Sequence, residues 1–168
     1  MAEPYRGLLS KLVELLRERL GDDLVSVVVY GSVARGDYRR DSDVDLLIIA
    51  KNLPKTMTER LILFDEVERR LQGDLDRLME MGYYVALSPI LKTPEEARRF
   101  SPLYMDMTQD AVILYDKDGF FNGVLEGVRR VLGGLGFERV WIGRAWYWRK
   151  RDYKPGEVID FGDIIDEQ

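Results

Sequence analysis

The chain contains no cysteine and no histidine. The first absence rules out a disulfide framework and thiol chemistry. The second rules out a catalytic imidazole and a histidine metal ligand. Any chemistry must therefore use carboxylates, hydroxyls, amines or a metal. Amides are also scarce: Asn stands only at 52 and 122, Gln only at 72, 109 and 168. Beside 33% charged residues, this resembles a heat-adapted composition. Positive charge is in deficit, with a net charge of −5, so the whole chain has no general attraction to nucleic acid. A local basic site stays open. The amphipathic, charged stretch Ala2 to Leu20 is unlike a secretory or membrane-spanning segment, and a cytoplasmic location is expected. A length of 168 residues suits one compact domain with a real core.

The informative stretch is Tyr30-Gly31-Ser32-Val33-Ala34-Arg35-Gly36, followed by Asp41-Ser42-Asp43-Val44-Asp45-Leu46. Leu24 to Tyr30 is short and β-branched, as a buried strand is. Gly31 permits torsions and a close backbone approach denied to other residues. Ser32 offers a hydroxyl and opens a short helix to Arg35, ended by Gly36. Asp43 and Asp45 lie at the start of a second strand, VDLLIIA, and residues two apart in a strand share a face. Paired carboxylates at a strand's edge make a hard oxygen site of the kind Mg²⁺ uses with phosphate oxygens. Two other phosphate or metal motifs fail. Asp37 and Tyr38 stand where a P-loop needs Lys and Ser/Thr. Leu46 and Asn52 stand where an EF-hand loop needs Gly and Glu. The remaining alternative is a hairpin whose turn carries solvated acids, but GSVARG directly before the acids favours a site.

Together, GSVARG and DSDVDL resemble the signature of the DNA polymerase β-type nucleotidyltransferase superfamily, and most of all its minimal (MNT-like) branch. The resemblance covers about residues 8–50, with looser agreement of element order to Tyr115. It implies an α+β nucleotidyltransferase-like fold, a small mixed β-sheet flanked by helices. It implies that Gly31 and Ser32 bind the triphosphate; Ser42 is a further nucleotide-binding candidate, and Arg35, Arg39 or Arg40 is a candidate phosphate contact or is simply solvated. It also implies that Asp43 and Asp45 are the catalytic pair and hold Mg²⁺ or Mn²⁺. The activity implied is transfer of NMP, by resemblance AMP from ATP, onto a hydroxyl acceptor with release of pyrophosphate. Small members of the branch often act as antitoxins on a HEPN-type partner protein, while other relatives modify small molecules such as aminoglycosides or RNA ends, so the expected partners are an NTP, such a protein and a second copy of the chain. Nucleic acid stays open and no membrane partner is expected. One departure matters. The superfamily often carries a third carboxylate on the next strand, here expected at Tyr83 to Leu91, and that run has no acid. A nucleotide-binding or partner-binding module without catalysis is therefore the alternative.

The rest of the chain predicts an apolar-striped first helix to Leu20, a capping box at Thr56 and Glu59, and one long helix to about Met81. Met57, Leu61, Phe64, Leu71, Leu75 and Leu78 form its apolar stripe. Thr93-Pro94-Glu95-Glu96 predicts a capped helix start. Ala111 to Tyr115 predicts a fourth strand, and Phe120 to Leu132 a last helix. The expected division is residues 1–136 as the nucleotidyltransferase domain and 137–168 as an aromatic and basic extension packed on it. In the extension, Trp141, Trp146, Tyr147, Trp148 and Tyr153 alternate with cations. Such a segment can stack bases, or it can pack as a strand or hairpin on the sheet, which is favoured. The acids Glu157, Asp160, Asp163, Asp166 and Glu167 close the chain, either frayed or docked on a basic patch.

Overall fold

A computed structural model describes residues 3–161. Asp163, Asp166 and Glu167 lie outside the described residues. The elements, in order, are α1 (Tyr5–Leu20), β1 (Leu24–Tyr30), α2 (Gly31–Arg35), β2 (Val44–Ala50), α3 (Met57–Arg69), α4 (Gln72–Glu80) and β3 (Leu87–Lys92). There follow α5 (Pro94–Ala97), α6 (Leu103–Asp110), β4 (Val112–Asp116), α7 (Phe120–Gly134), β5 (Phe137–Ile142) and β6 (Ala145–Lys150).

Four strands form one mixed sheet in the order β3-β2-β1-β4, and β5 and β6 form a separate hairpin. β1 is antiparallel to β2 and β4, and β2 is parallel to β3. The parallel pairing needs a crossover, which α3 and α4 provide. β1 and β2 are apolar but for Ser26 and Asp45, because the sheet is covered on both faces. Val27, Val29, Leu46 and Ile48 pack against α1, α3 and α4. Val28, Leu47 and Ile49 pack against α6 and α7. Burying each such side chain contributes about 1.5–3 kcal/mol, and this double burial holds the end of β1 against the start of β2. The expected mixed sheet between helices is the architecture found. Among the described residues no helix is long and apolar enough to cross a membrane.

Three elements differ from expectation. The long helix is two, broken after Arg69. Leu71 to Leu78 stay in phase with the core, but at the first turns Arg60 points inward, while Met57 and Leu61 face solvent. A buried guanidinium needs partners. Arg60 donates to the Pro54 and Leu91 carbonyls and to both carboxylate oxygens of Glu96, at 2.6 and 2.9 Å. Next, β3 begins at Leu87 rather than Tyr83. Tyr83 instead packs edge-on against Tyr5 and beneath the Arg40 guanidinium. Last, α6 was not foreseen. The helix is only eight residues long, and its start is marked by Pro102, which has the right φ already.

Both capping boxes form as expected, at Thr56/Glu59 and at Thr93/Glu96. The aromatic extension is a hairpin, and its Phe137 and Trp148 pack on the core between the sheet, α6 and α7. Glu157 docks on Lys150, 3.1 Å away.

Candidate functional site

The sheet register places Tyr30 of β1 opposite Asp45 of β2, and Asp45 beside Ser88 of β3. Immediately after Tyr30 the chain turns into α2 through Gly31, at φ +72°. A Cβ built on Gly31 would lie 2.2 Å from Asp45 Oδ2 and 3.2 Å from its Cγ. Glycine is thus what lets the Asp45 carboxylate rest against the backbone at this turn. We expect Gly31→Ala to push that carboxylate aside and to strain the backbone, a left-handed conformation costing about 1–2 kcal/mol for an L-residue. Thermal melts of the variant should show it less stable than the wild type by at least about 1–2 kcal/mol.

Val33 is buried and pins α2 to the core. The Ser32 carbonyl accepts from the amides of Gly36 and Asp37, closing the element, and its side chain is left at a half-buried position beside Gly31. Gly36 takes a left-handed conformation to end it. Ser42 is used locally: its hydroxyl accepts from the Arg39 amide at 2.8 Å and ties the turn that leads into β2. Asp43 is exposed just before β2, and Asp45 is half-buried within it, with buried Val44 between them.

The electrostatics follow from this placement. Burial raises the Asp45 pKa, the Asp43 charge raises it further, and the Arg35 guanidinium opposes both. Burial and Asp45 together push the Tyr30 phenol up to about 12, so it stays a neutral donor. A partly desolvated carboxylate whose charge a second carboxylate disfavours makes a site that a cation would relieve. Ser88 occupies the neighbouring position on β3, and among the described residues no cluster of three acids, histidines or cysteines is arranged to hold a metal.

A cavity of about 150 Å³ opens beside Gly31. It is lined by Tyr30, Gly31 and Arg35 on one side and by Leu103, Asp106, Met107 and Asp110 of α6 on the other. A larger, open depression of about 610 Å³, at Glu14, Arg17 and Tyr115, shares none of these residues. Chemistry rather than size marks the smaller one. Sequence reasoning missed α6 and with it Asp106 and Asp110. Asp106 Oδ1 accepts from the indoles of Trp146 and Trp148, at 2.8 and 2.9 Å. Asp110 pairs with Arg139 at 2.7 Å. These bonds span about thirty to forty residues of sequence, and no local pattern announces them.

Residues 9–114 match the family model described as nucleotidyltransferase domain. The chain is 32% identical, over 148 residues, to a protein of Methanocaldococcus jannaschii provisionally named a protein adenylyltransferase. That match spans 87% of this chain and 94% of the relative. Among solved structures, a toxin-antitoxin with AMP-PNP is 19% identical, with a TM-score of 0.46 over 74% of this chain and 90% of the other. The MNT antitoxin complex with tri-AMPylated HEPN toxin of Shewanella oneidensis is 17% identical, with a TM-score of 0.43 over 74% of this chain and 86% of the other.

Proposed function

Because the chain belongs to the nucleotidyltransferase domain family and is a nucleotidyltransferase, we propose that it transfers AMP from ATP to a hydroxyl group of a partner protein. The acceptor hydroxyl gives up its proton to solvent and its oxygen bonds to the α-phosphorus as the bond from that phosphorus to the bridging oxygen breaks, and pyrophosphate leaves with the electron pair. The observation that carries this assignment is the fit of Gly31 to Asp45, with Asp43 two residues before it: a turn without a side chain, closed against the Asp45 carboxylate beside a second acid.

In this assignment Gly31 and Ser32 hold the β- and γ-phosphates, and Arg35 faces their charge. Asp43 and Asp45 would hold Mg²⁺ or Mn²⁺, which when bound supplies positive charge against the triphosphate and the departing pyrophosphate. Tyr30, kept neutral, can donate a hydrogen bond into the same cavity. The protein acceptor is supported by the adenylyltransferase name of the M. jannaschii relative. A HEPN-type partner follows from the resemblance of the GSVARG and DSDVDL motifs to the minimal branch.

The test is incubation with each α-labelled NTP, with and without the product of a neighbouring gene. Label from ATP on a protein band, with pyrophosphate released, is the expected result. Nucleotide binding without transfer to any acceptor would sink the assignment. A finer check is Ser32→Ala. The lost hydroxyl touches only the outer phosphates, so ATP binding should weaken by about 1.5–3 kcal/mol, the worth of one hydrogen bond to a charged group. AMP binding should hardly change. Equal weakening of ATP and AMP in calorimetry would remove Ser32 from the phosphate site.

A further inference from the structure

We infer that Trp146, on the C-terminal hairpin, is a positioning residue that holds the Arg35 guanidinium at the phosphate end of the site; this rests on the function proposed above. Arg35 ends the five-residue helix α2. A long side chain there has many rotamers, and ordering it during nucleotide binding would cost affinity. Its Cζ lies 4.7 Å from the Trp146 ring centroid, and its Nε is 3.2 Å from Asp37 Oδ2. Asp45 also feels its charge. The indole therefore helps fix where the cation sits.

A support works only if it is itself held. The Trp146 indole N–H donates to Asp106 Oδ1 at 2.8 Å, and Trp148 donates to the same oxygen. Trp141, its cross-strand partner, lies against it with centroids 5.1 Å apart. Arg139 also lies against the ring, with Cζ 4.8 Å from the centroid, and is tied by two hydrogen bonds to Asp110. Asp106 and Asp110 line the same cavity as Gly31 and Arg35. One ring is thus held by α6 and its own hairpin while it presents a π surface to a cation of the GSVARG segment. The Trp146 ring already carries both Arg35 and Arg139, so it is not free as a platform for RNA bases.

The measurement is ATP and AMP affinity by calorimetry with Mg²⁺, on the full chain, with melting temperatures recorded for each variant. Trp146→Leu keeps apolar bulk but removes the π face, and should weaken ATP binding about five- to tenfold and AMP binding little. Trp146→Phe keeps a π face but loses the bond to Asp106, so its ATP affinity should lie between those of Trp146→Leu and the wild type. Arg35→Ala should weaken ATP binding, and adding Trp146→Leu to it should weaken it no further, because both act through one contact. Should Trp146→Leu not fold, a second measurement decides. The chain has three tryptophans, so Trp141→Phe with Trp148→Phe leaves Trp146 as the single indole emitter. ATP should change its emission, and Arg35→Ala should remove that change. If Trp146→Leu binds ATP as the wild type does while Ser32→Ala is impaired, the positioning role is overturned and the proposed function stands. An emission insensitive to ATP or to Arg35 overturns it equally. If Ser32→Ala and Asp45→Asn also bind ATP normally, the proposed function falls, and the positioning role with it.

Discussion

Replacing Asp43 and Asp45 together by asparagine is expected to abolish AMP transfer and Mg²⁺-dependent ATP binding, while making the nucleotide-free protein more stable. The two effects have one cause. Asp45 is partly desolvated at the end of β2 and faces the Asp43 charge, and both raise its pKa. In the native state its proton is held more tightly than in the unfolded chain. By linkage, stability falls as pH rises from the ordinary carboxylate range through the raised pKa, and the penalty is complete above it. The asparagine variant escapes that penalty. Its melting temperature should exceed the wild type's by the widest margin near neutral pH, and the margin should close as pH falls below the ordinary carboxylate range. Mg²⁺ with ATP should reverse the order, raising the melting temperature of the wild type and not of the variant. Wild-type transfer in the double variant would remove both carboxylates from the site. A variant no more stable than wild type at neutral pH would show that the two charges do not interact as the geometry implies.

The sequence was most legible where local pattern and tertiary environment agree. β1 and β2 read as strands because both their faces are buried, so their apolar runs have no helical period. The turn at Gly31 was legible because a single glycine ends a β-branched run directly before the acids. The close approach of Gly31 to Asp45 was not, since it depends on the register that sets Tyr30 opposite Asp45. The break between α3 and α4 was hidden because Leu71, Leu75 and Leu78 continue the spacing of Phe64 across it. The inward turn of Arg60 was hidden for the opposite reason. A charged residue reads as solvated until its partner is known, and Glu96 lies 36 residues away. The side of the cavity formed by α6 was missed on both counts, being short and defined by contacts with a distant hairpin. The missing acid on β3 was read correctly: Ser88 stands beside Asp45.

Removing one charge of the same Arg60–Glu96 pair should produce a large loss of stability. The Arg60 side chain is only 7% exposed and the Glu96 side chain 39%. Glu96 meets the guanidinium through both oxygens, and one of them also accepts from the Thr93 amide, closing the capping box of α5. Glu96→Ala leaves a buried guanidinium with only the Pro54 and Leu91 carbonyls. Breaking a buried ion pair costs about 3–5 kcal/mol, and the partial exposure of Glu96 places this one at the lower end, about 3 kcal/mol, after allowance for solvent screening. For a chain of this size that corresponds to a fall in melting temperature of about 6–12 °C. The pH dependence gives an independent check. The Arg60 hydrogen bonds, joined by the Thr93 amide and the charges of Arg60 and Lys92, hold the Glu96 carboxyl down at about 2. A depressed acid contributes stability that is fully present above its unfolded pKa and is lost as pH falls through the folded one. The wild type should therefore lose its advantage over Glu96→Ala progressively between about pH 5 and pH 2. Glu96→Gln, which removes the charge but keeps an acceptor for Thr93, should lie between the two at neutral pH. Parallel pH–stability curves for wild type and Glu96→Ala would show that the pair contributes packing alone and no charge.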